Sequence, residues 1–159
     1  MLDVRKNDEY GFYYISSELD DGMHMLFLEW DDDNAKTLAQ TVLCVLDISG
    51  ILIETPRGFH FIANIPMTLE ESLKVQQLFR ADPPWCINNK NRGYSSLRVS
   101  MKYEKEQPLR VIGYRYTNIK LKRWYEEIVQ KYFDKGQPYM QDSDNPDATF
   151  AGGIIDGME

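Results

Sequence analysis

Two short stretches concentrate the residues able to do chemistry. In Leu28-Glu29-Trp30-Asp31, strand alternation puts Glu29 and Asp31 on one face, about 7 Å apart, and Trp30 on the other. Oxygen donors so placed suit hard cations, Mg²⁺ or Mn²⁺, which keep part of their water shell. A carboxylate at the end of so apolar a run needs a partner or a ligand, because burying it alone is costly. Asp32 and Asp33, next in the chain, read as a solvated turn and helix cap.

The second stretch is Thr55-Pro56-Arg57-Gly58-Phe59-His60. Gly58 allows either a positive φ or a close backbone approach to a ligand. Arg57 at the turn presents a planar fork suited to phosphate oxygens. His60 faces away from Phe59 and Phe61. A lone strand histidine is often only a structural hydrogen-bonder, but Arg-Gly-x-His at a hairpin after an acidic strand end points toward ligand contact. Further on, Asp82 precedes two prolines and reads by itself as a helix stop. Arg98, Ser100 and Lys102 alternate onto one face of a strand, with Lys90 and Arg92 nearby. Such a stripe either grips phosphate backbone or is a solvated edge.

The elements that must position these groups follow from periodicity. Residues 11–17 read as a strand ended by the Asp20-Asp21-Gly22 breaker, and residues 23–31 as a buried central strand. A helix follows to about Asp47, with Leu38, Val42, Leu43 and Leu46 at helical spacing. Residues 51–55 and 59–65 read as a hairpin. Thr68-Leu69-Glu70-Glu71 is a capping box opening a helix to about Arg80, with Leu69, Leu73, Leu78 and Phe79 available to the core. Residues 82–93 read as a loop, and 94–103 and 109–117 as strands. Residues 119–133 read as an amphipathic helix with Ile119, Trp124, Ile128, Val129 and Tyr132 near one stripe. The expected class is α+β: a β-α-β-β-α-β core of the RNA-recognition-motif or ferredoxin-like kind, an additional β-hairpin and a C-terminal helix. Right-handed crossovers then set the strand carrying Glu29 beside the strand carrying His60.

Bulk properties bound the function. The 159 residues, 43% apolar, match one domain, expected over residues 1–135, followed by an acidic, mobile tail over 136–159. No apolar run is long enough to span a membrane, and MLDVRKNDEYGF holds no apolar h-region, so a cytoplasmic protein is expected. Cys44 and Cys86 form no C-x-x-C pair, so neither a disulfide framework nor a cysteine zinc site is expected. The net charge of −7 is unevenly spread. Residues 1–47 carry eleven acids against three bases, whereas residues 84–135 carry twelve bases against five acids. The basic third permits a polyanionic partner, and equally a solvated surface.

Taken in order, LFLEWD, TPRGFH, Asp82 and LRVSMK resemble the catalytic domain of the archaeo-eukaryotic primase superfamily over residues 23–103. Glu29 stands where that family usually has aspartate, and Asp31 matches its second acid. The resemblance implies that Glu29, Asp31 and Asp82 are catalytic and hold two Mg²⁺ or Mn²⁺ ions. It implies that Arg57, His60, Arg98 and Lys102 bind a nucleoside triphosphate. The implied activity is nucleotidyl transfer on a single-stranded nucleic-acid template in DNA replication, alongside another replication protein. The alternative is a non-catalytic RNA-recognition-type or protein-interaction module. That module displays aromatics on its central strands, here Trp30, Phe59 and Phe61. A replication-initiator nuclease needs paired metal-binding histidines, and Phe59-His60-Phe61 supplies one. The convergence or scatter of Glu29, Asp31 and His60 separates the enzyme reading from the others.

Overall fold

A computed structural model describes residues 2–31, 34–45, 47–107 and 109–138. The elements in order are β1 (Val4–Lys6), β2 (Tyr13–Ser16), β3 (His24–Trp30), α1 (Ala35–Val45), β4 (Gly50–Glu54), β5 (Phe59–Met67), α2 (Leu69–Leu78), α3 (Pro83–Arg92), β6 (Ser96–Arg98), β7 (Arg110–Ile112) and α4 (Ile119–Tyr132). Among the described residues the chain is thus mixed α+β, with four helices and two antiparallel sheets. The larger sheet runs β3-β5-β4-β7 and the smaller β1-β2-β6.

The apolar run that reads as a central strand is β3; it is buried along all seven residues but stands at the edge of the larger sheet, because β6 pairs in the smaller sheet instead of flanking it. It pairs with β5 so that Leu28 faces Phe61 and Glu29 faces His60. The hairpin partner β4 continues the row, with Ile53 opposite His60 and Val111 of β7 opposite Ile53. Two tryptophans sit deep in the core, and each indole N–H finds a carbonyl: Trp30 donates to Phe79 at 2.9 Å and Trp85 to Ser96 at 2.7 Å. The capping box closes as its sequence requires, Glu71 N–H donating to Thr68 Oγ1 and Thr68 N–H to Glu71 Oε1.

Several expectations are corrected. Residues 82–93 are not a loop: Asp82 caps α3, Pro83 and Pro84 occupy its first turn, and Gly93 ends it at φ 87°. Proline is tolerated in a first turn because that N–H has no helical acceptor, so the Pro-Pro pair opens a helix here. The strand read over 94–103 shortens to β6, which pairs with β2 in the small sheet, Tyr14 opposite Arg98. The strand read over 109–117 shortens to β7, and β1 was not foreseen. The inward face of α2 is polar, Ser72 and Gln76, while Leu78 is 73% exposed. On α4 the buried stripe is Leu121, Tyr125 and Val129, and Ile119 is exposed. At the start of the expected tail, Gly136 packs on Ser100 and Gln137 N–H donates to Gly11 O. Leu46, Asp32, Asp33 and residues 139–159 lie outside the described residues.

A buried polar seam joins the small sheet to the large one. Gln76 Nε2 donates to Phe27 O of β3 and, at 2.7 Å, to Ser95 Oγ beside β6. Gln76 Oε1 accepts from Asn89 of α3, and Asn89 Oδ1 accepts from Arg92 at 2.7 Å, which also donates to Ser96 Oγ. Ser95 N–H donates to Ser17 Oγ, which is bonded to His24 Nδ1 at 2.9 Å. Gln76, Asn89, Ser95 and Ser17 are all fully buried.

Two predictions follow from the seam. Gln76→Leu leaves the Phe27 carbonyl, the Ser95 hydroxyl and the Asn89 amide without their partner, and is expected to cost about 3 kcal/mol in urea denaturation. Gln77→Leu, one residue on and exposed, should change stability little. Burial holds the His24 imidazole below its ordinary 6.5, with Glu18 pulling the other way. The unfolded chain therefore takes up the proton first, and stability should fall as pH drops below about 6.5, with no contribution from this group above it. The urea midpoint should drop less between pH 7.5 and 5.5 in His24→Gln than in wild type; an equal drop would exclude His24 as its source.

Candidate functional site

The C-terminal end of β3 delivers the two acids. Glu29 is its penultimate residue and Asp31 follows the strand directly. The antiparallel register sets His60 opposite Glu29, with Nε2 3.9 Å from Glu29 Oε1, and each residue is only 4% exposed. A turn over residues 55–58 links β4 to β5 beside them. Thr55 N–H donates to Gly58 O, and Gly58 N–H donates to Thr55 Oγ1, both at 2.9 Å.

Gly58 is required by a close approach, and that approach is to the chain itself. A Cβ at this position would fall inside the Trp30 carbonyl oxygen and touch Ala35. The glycine therefore lets the Arg57 turn lie flat against the acid-bearing strand rather than admitting a ligand.

The opposite wall comes from β6 and the segment after it. Arg98, 9% exposed, and Lys102, 3% exposed, are cations drawn almost wholly out of bulk water. One cleft is lined by Glu29, Asp31, Arg57, His60, Arg98 and Lys102, with Thr55, Pro56, Tyr103, Glu106 and Leu109 completing it. Six of the seven residues singled out from sequence thus meet. Counted to its open mouth the cleft holds about 340 Å³, but the part wide enough for a water molecule is only about 20 Å³.

Asp82 lies elsewhere. Its N–H donates to the Glu29 carbonyl at 2.8 Å, and its carboxylate accepts the Trp85 N–H as the cap of α3. It touches the acid strand from behind and does not line the cleft. The third carboxylate in the lining is Glu106, whose Oε2 accepts the Tyr103 N–H at 3.2 Å. Neither Glu106 nor Tyr103 was singled out, because a charged stretch between two strands carries no pattern that marks a cleft wall.

The cleft is electrostatically balanced, with Glu29, Asp31 and Glu106 facing Arg57, Arg98 and Lys102. The negative side reaches beyond it. Burial first, then the charges of Asp82 and Glu29, push the Cys86 thiol up to about 12, which disfavours the thiolate at neutral pH. Among the described residues no three His, Cys, Asp or Glu side chains gather into a group able to hold a metal ion by themselves. Glu29 and Asp31, which line the cleft together at the end of β3, are the oxygen donors that would hold a hard cation there, with water completing its shell.

Comparison of the chain with family models, with curated proteins and with solved structures finds no match. Among the described residues no helix is long and apolar enough to cross a membrane.

Because Gly58 fits only without a side chain, Gly58→Ala should force the 55–58 turn off β3 and cost about 3 kcal/mol in thermal or urea unfolding. An unchanged melting temperature would show that this contact does not constrain the turn.

Proposed function

We propose that the cleft binds a nucleoside triphosphate together with Mg²⁺ or Mn²⁺ and carries out nucleotidyl transfer on a single-stranded nucleic-acid template, in the manner of archaeo-eukaryotic primases. One observation carries this reading: two strand-end carboxylates, a histidine and three cations, spread from residue 29 to residue 102, line one cleft. The order β3-α1-β4-β5-α2, with β3 beside β5, also accords with the first five elements of the expected β-α-β-β-α-β unit. The sixth strand is the difference, since β6 hydrogen-bonds in the small sheet rather than flanking β3.

In this reading Glu29 and Asp31 hold the cation. When bound, it neutralises phosphate charge and makes the attacking 3′-hydroxyl easier to deprotonate. Arg57 offers two parallel N–H donors to phosphate oxygens, and Arg98 and Lys102 add charge on the opposite wall. These cations sit in a poorly hydrated cleft, where their attraction for phosphate is stronger than in water. In this reading His60, which also lines the cleft, donates to a phosphate or sugar oxygen beside the cation. The bond formed joins the 3′-oxygen to the α-phosphorus, the bond broken frees pyrophosphate, and the hydroxyl proton leaves to solvent.

The rival reading as an RNA-recognition-type module is disfavoured by burial. Trp30 and Phe61, two of the three aromatics that would stack on bases, are in the core, and Phe59 is half-buried.

The test is calorimetric titration of a non-hydrolysable nucleoside triphosphate with Mn²⁺ into wild type and Asp31→Asn. Micromolar binding is expected, weakened at least about tenfold by the substitution, a loss of about 1.4 kcal/mol. Absence of binding to folded wild type, or equal binding by the variant, would retire the proposal.

A further inference from the structure

The two edges of the larger sheet differ in what meets their backbone. Along β3 the outward groups are taken: Met25 N–H donates to Ser17 O, Phe27 O accepts from Gln76 Nε2, and Glu29 O accepts from the Asp82 N–H. The other edge is β7. At the two ends of the β4-β5 hairpin, Thr55 N–H donates to Gly58 O and Asn64 N–H to Ser49 O, so the odd-numbered residues of β4 turn their backbone groups to β5. Leu52 and Glu54 therefore turn theirs to Ile112 and Arg110 of β7, and the N–H and C=O of Val111 face outward. Among the described residues no hydrogen bond reaches those two groups. Gly113, just past the strand, is exposed, and a Cβ there would meet nothing within 4 Å.

Beside this open edge lies a groove of about 710 Å³ between α1 and the sheet, in the range of binding sites at about 300–1,000 Å³. Its apolar lining includes Leu43 of α1, Leu52 of β4, Phe59 of β5 and Ile112 of β7. Leu52 is paired with Ile112, and Phe59 with Glu54, so these side chains share the face opposite the row of His60, Ile53 and Val111. The groove is thus separate from the cleft. Of its four charged lining residues, Glu54 is held by Arg110 at 2.6 Å and Asp47 accepts the Tyr116 hydroxyl. Among the described residues neither of the other two, Lys36 and Arg115, is in an ion pair.

We propose that β7 and this groove together bind an extended, acidic and apolar peptide segment of a partner protein, which adds to the four-stranded sheet as a fifth strand. The outward N–H and C=O of Val111 supply the ladder, and alternate side chains of the added strand enter the groove beside Ile112. Acids in the peptide meet Lys36 and Arg115. The same charges disfavour a second copy of this chain as the occupant, since residues 109–116 carry Arg110 and Arg115 and no acid. The inference is independent of the nucleotide reading, because the groove and the cleft share no lining residue.

The test selects random phage-displayed peptides on the full-length chain, then titrates the enriched sequence, made synthetically with a fluorescent label, into wild type, Val111→Pro and Lys36→Glu. Enriched peptides are expected to alternate apolar residues and to carry Asp or Glu. Val111→Pro removes an N–H that bonds nothing in the fold, so the melting temperature should stay near that of wild type. Affinity should nevertheless fall at least about tenfold, because a peptide carbonyl loses its donor. Lys36→Glu should weaken binding severalfold. N-methylation of alternate peptide residues tests the same ladder without touching the protein, and one of the two methylated series should fail to bind. No enriched peptide, enrichment without acids, or equal binding by Val111→Pro and by both methylated series would overturn the proposal. Self-association of wild type in sedimentation, lost in Val111→Pro, would assign the edge to a second copy and overturn it as well.

Discussion

The side-chain amide of Gln76 holds the two sheets together. It is fully buried, and its two ends reach β3, the residue before β6, and α3 at once. Apolar packing between sheets is tolerant of small slips because it is non-directional. Hydrogen bonds to a carbonyl, a hydroxyl and an amide are not, and a buried polar group that loses one of them pays the full cost of desolvation. The seam therefore fixes where β6 lies relative to β3. Arg98 is the last residue of β6 and Glu29 the penultimate residue of β3, so the same amide sets the width of the cleft.

The acids of the cleft are tied to the helical layer by backbone as well. The Asp82 N–H meets the carbonyl of Glu29 at the corner between α2 and α3, so that corner supports the strand end whose side chain lines the cleft. Asp82 supports the strand end and adds negative charge nearby, without lining the cleft. Its carboxylate is spent on the first turn of α3, and its charge is felt at Cys86 rather than in the cleft lining.

What the sequence disclosed tracks the range of the interactions involved. The buried strand at 23–31, the capping box at Thr68, and the pairing that brings Glu29 to His60 were legible because apolar periodicity and capping chemistry are local and crossover handedness is general. The Pro83-Pro84 pair misled because proline both ends helices and begins them, and the deciding observation is the Asp82 cap. Leu78 and Ile119 misled because helical spacing identifies a stripe without saying which of two neighbouring stripes faces inward; on α2 the inward one is polar, for the sake of the seam. Tyr103 and Glu106 were invisible because a turn's side chains acquire a direction only from the walls around them.

The pairing of β2 with β6 has a consequence for how the chain becomes ordered. Tyr14 and Arg98 are directly opposite each other although 84 positions apart, so the N-terminal hairpin has no sheet to complete until most of the chain is available. Contacts of such long sequence separation form slowly, since the loop between them must first be closed. On a ribosome the β3-β4-β5 unit would emerge and pair early, while β1 and β2 waited for residue 98. Arg98 would thus be among the last of the cleft's residues to arrive, and the cationic wall would be assembled against acids already in place.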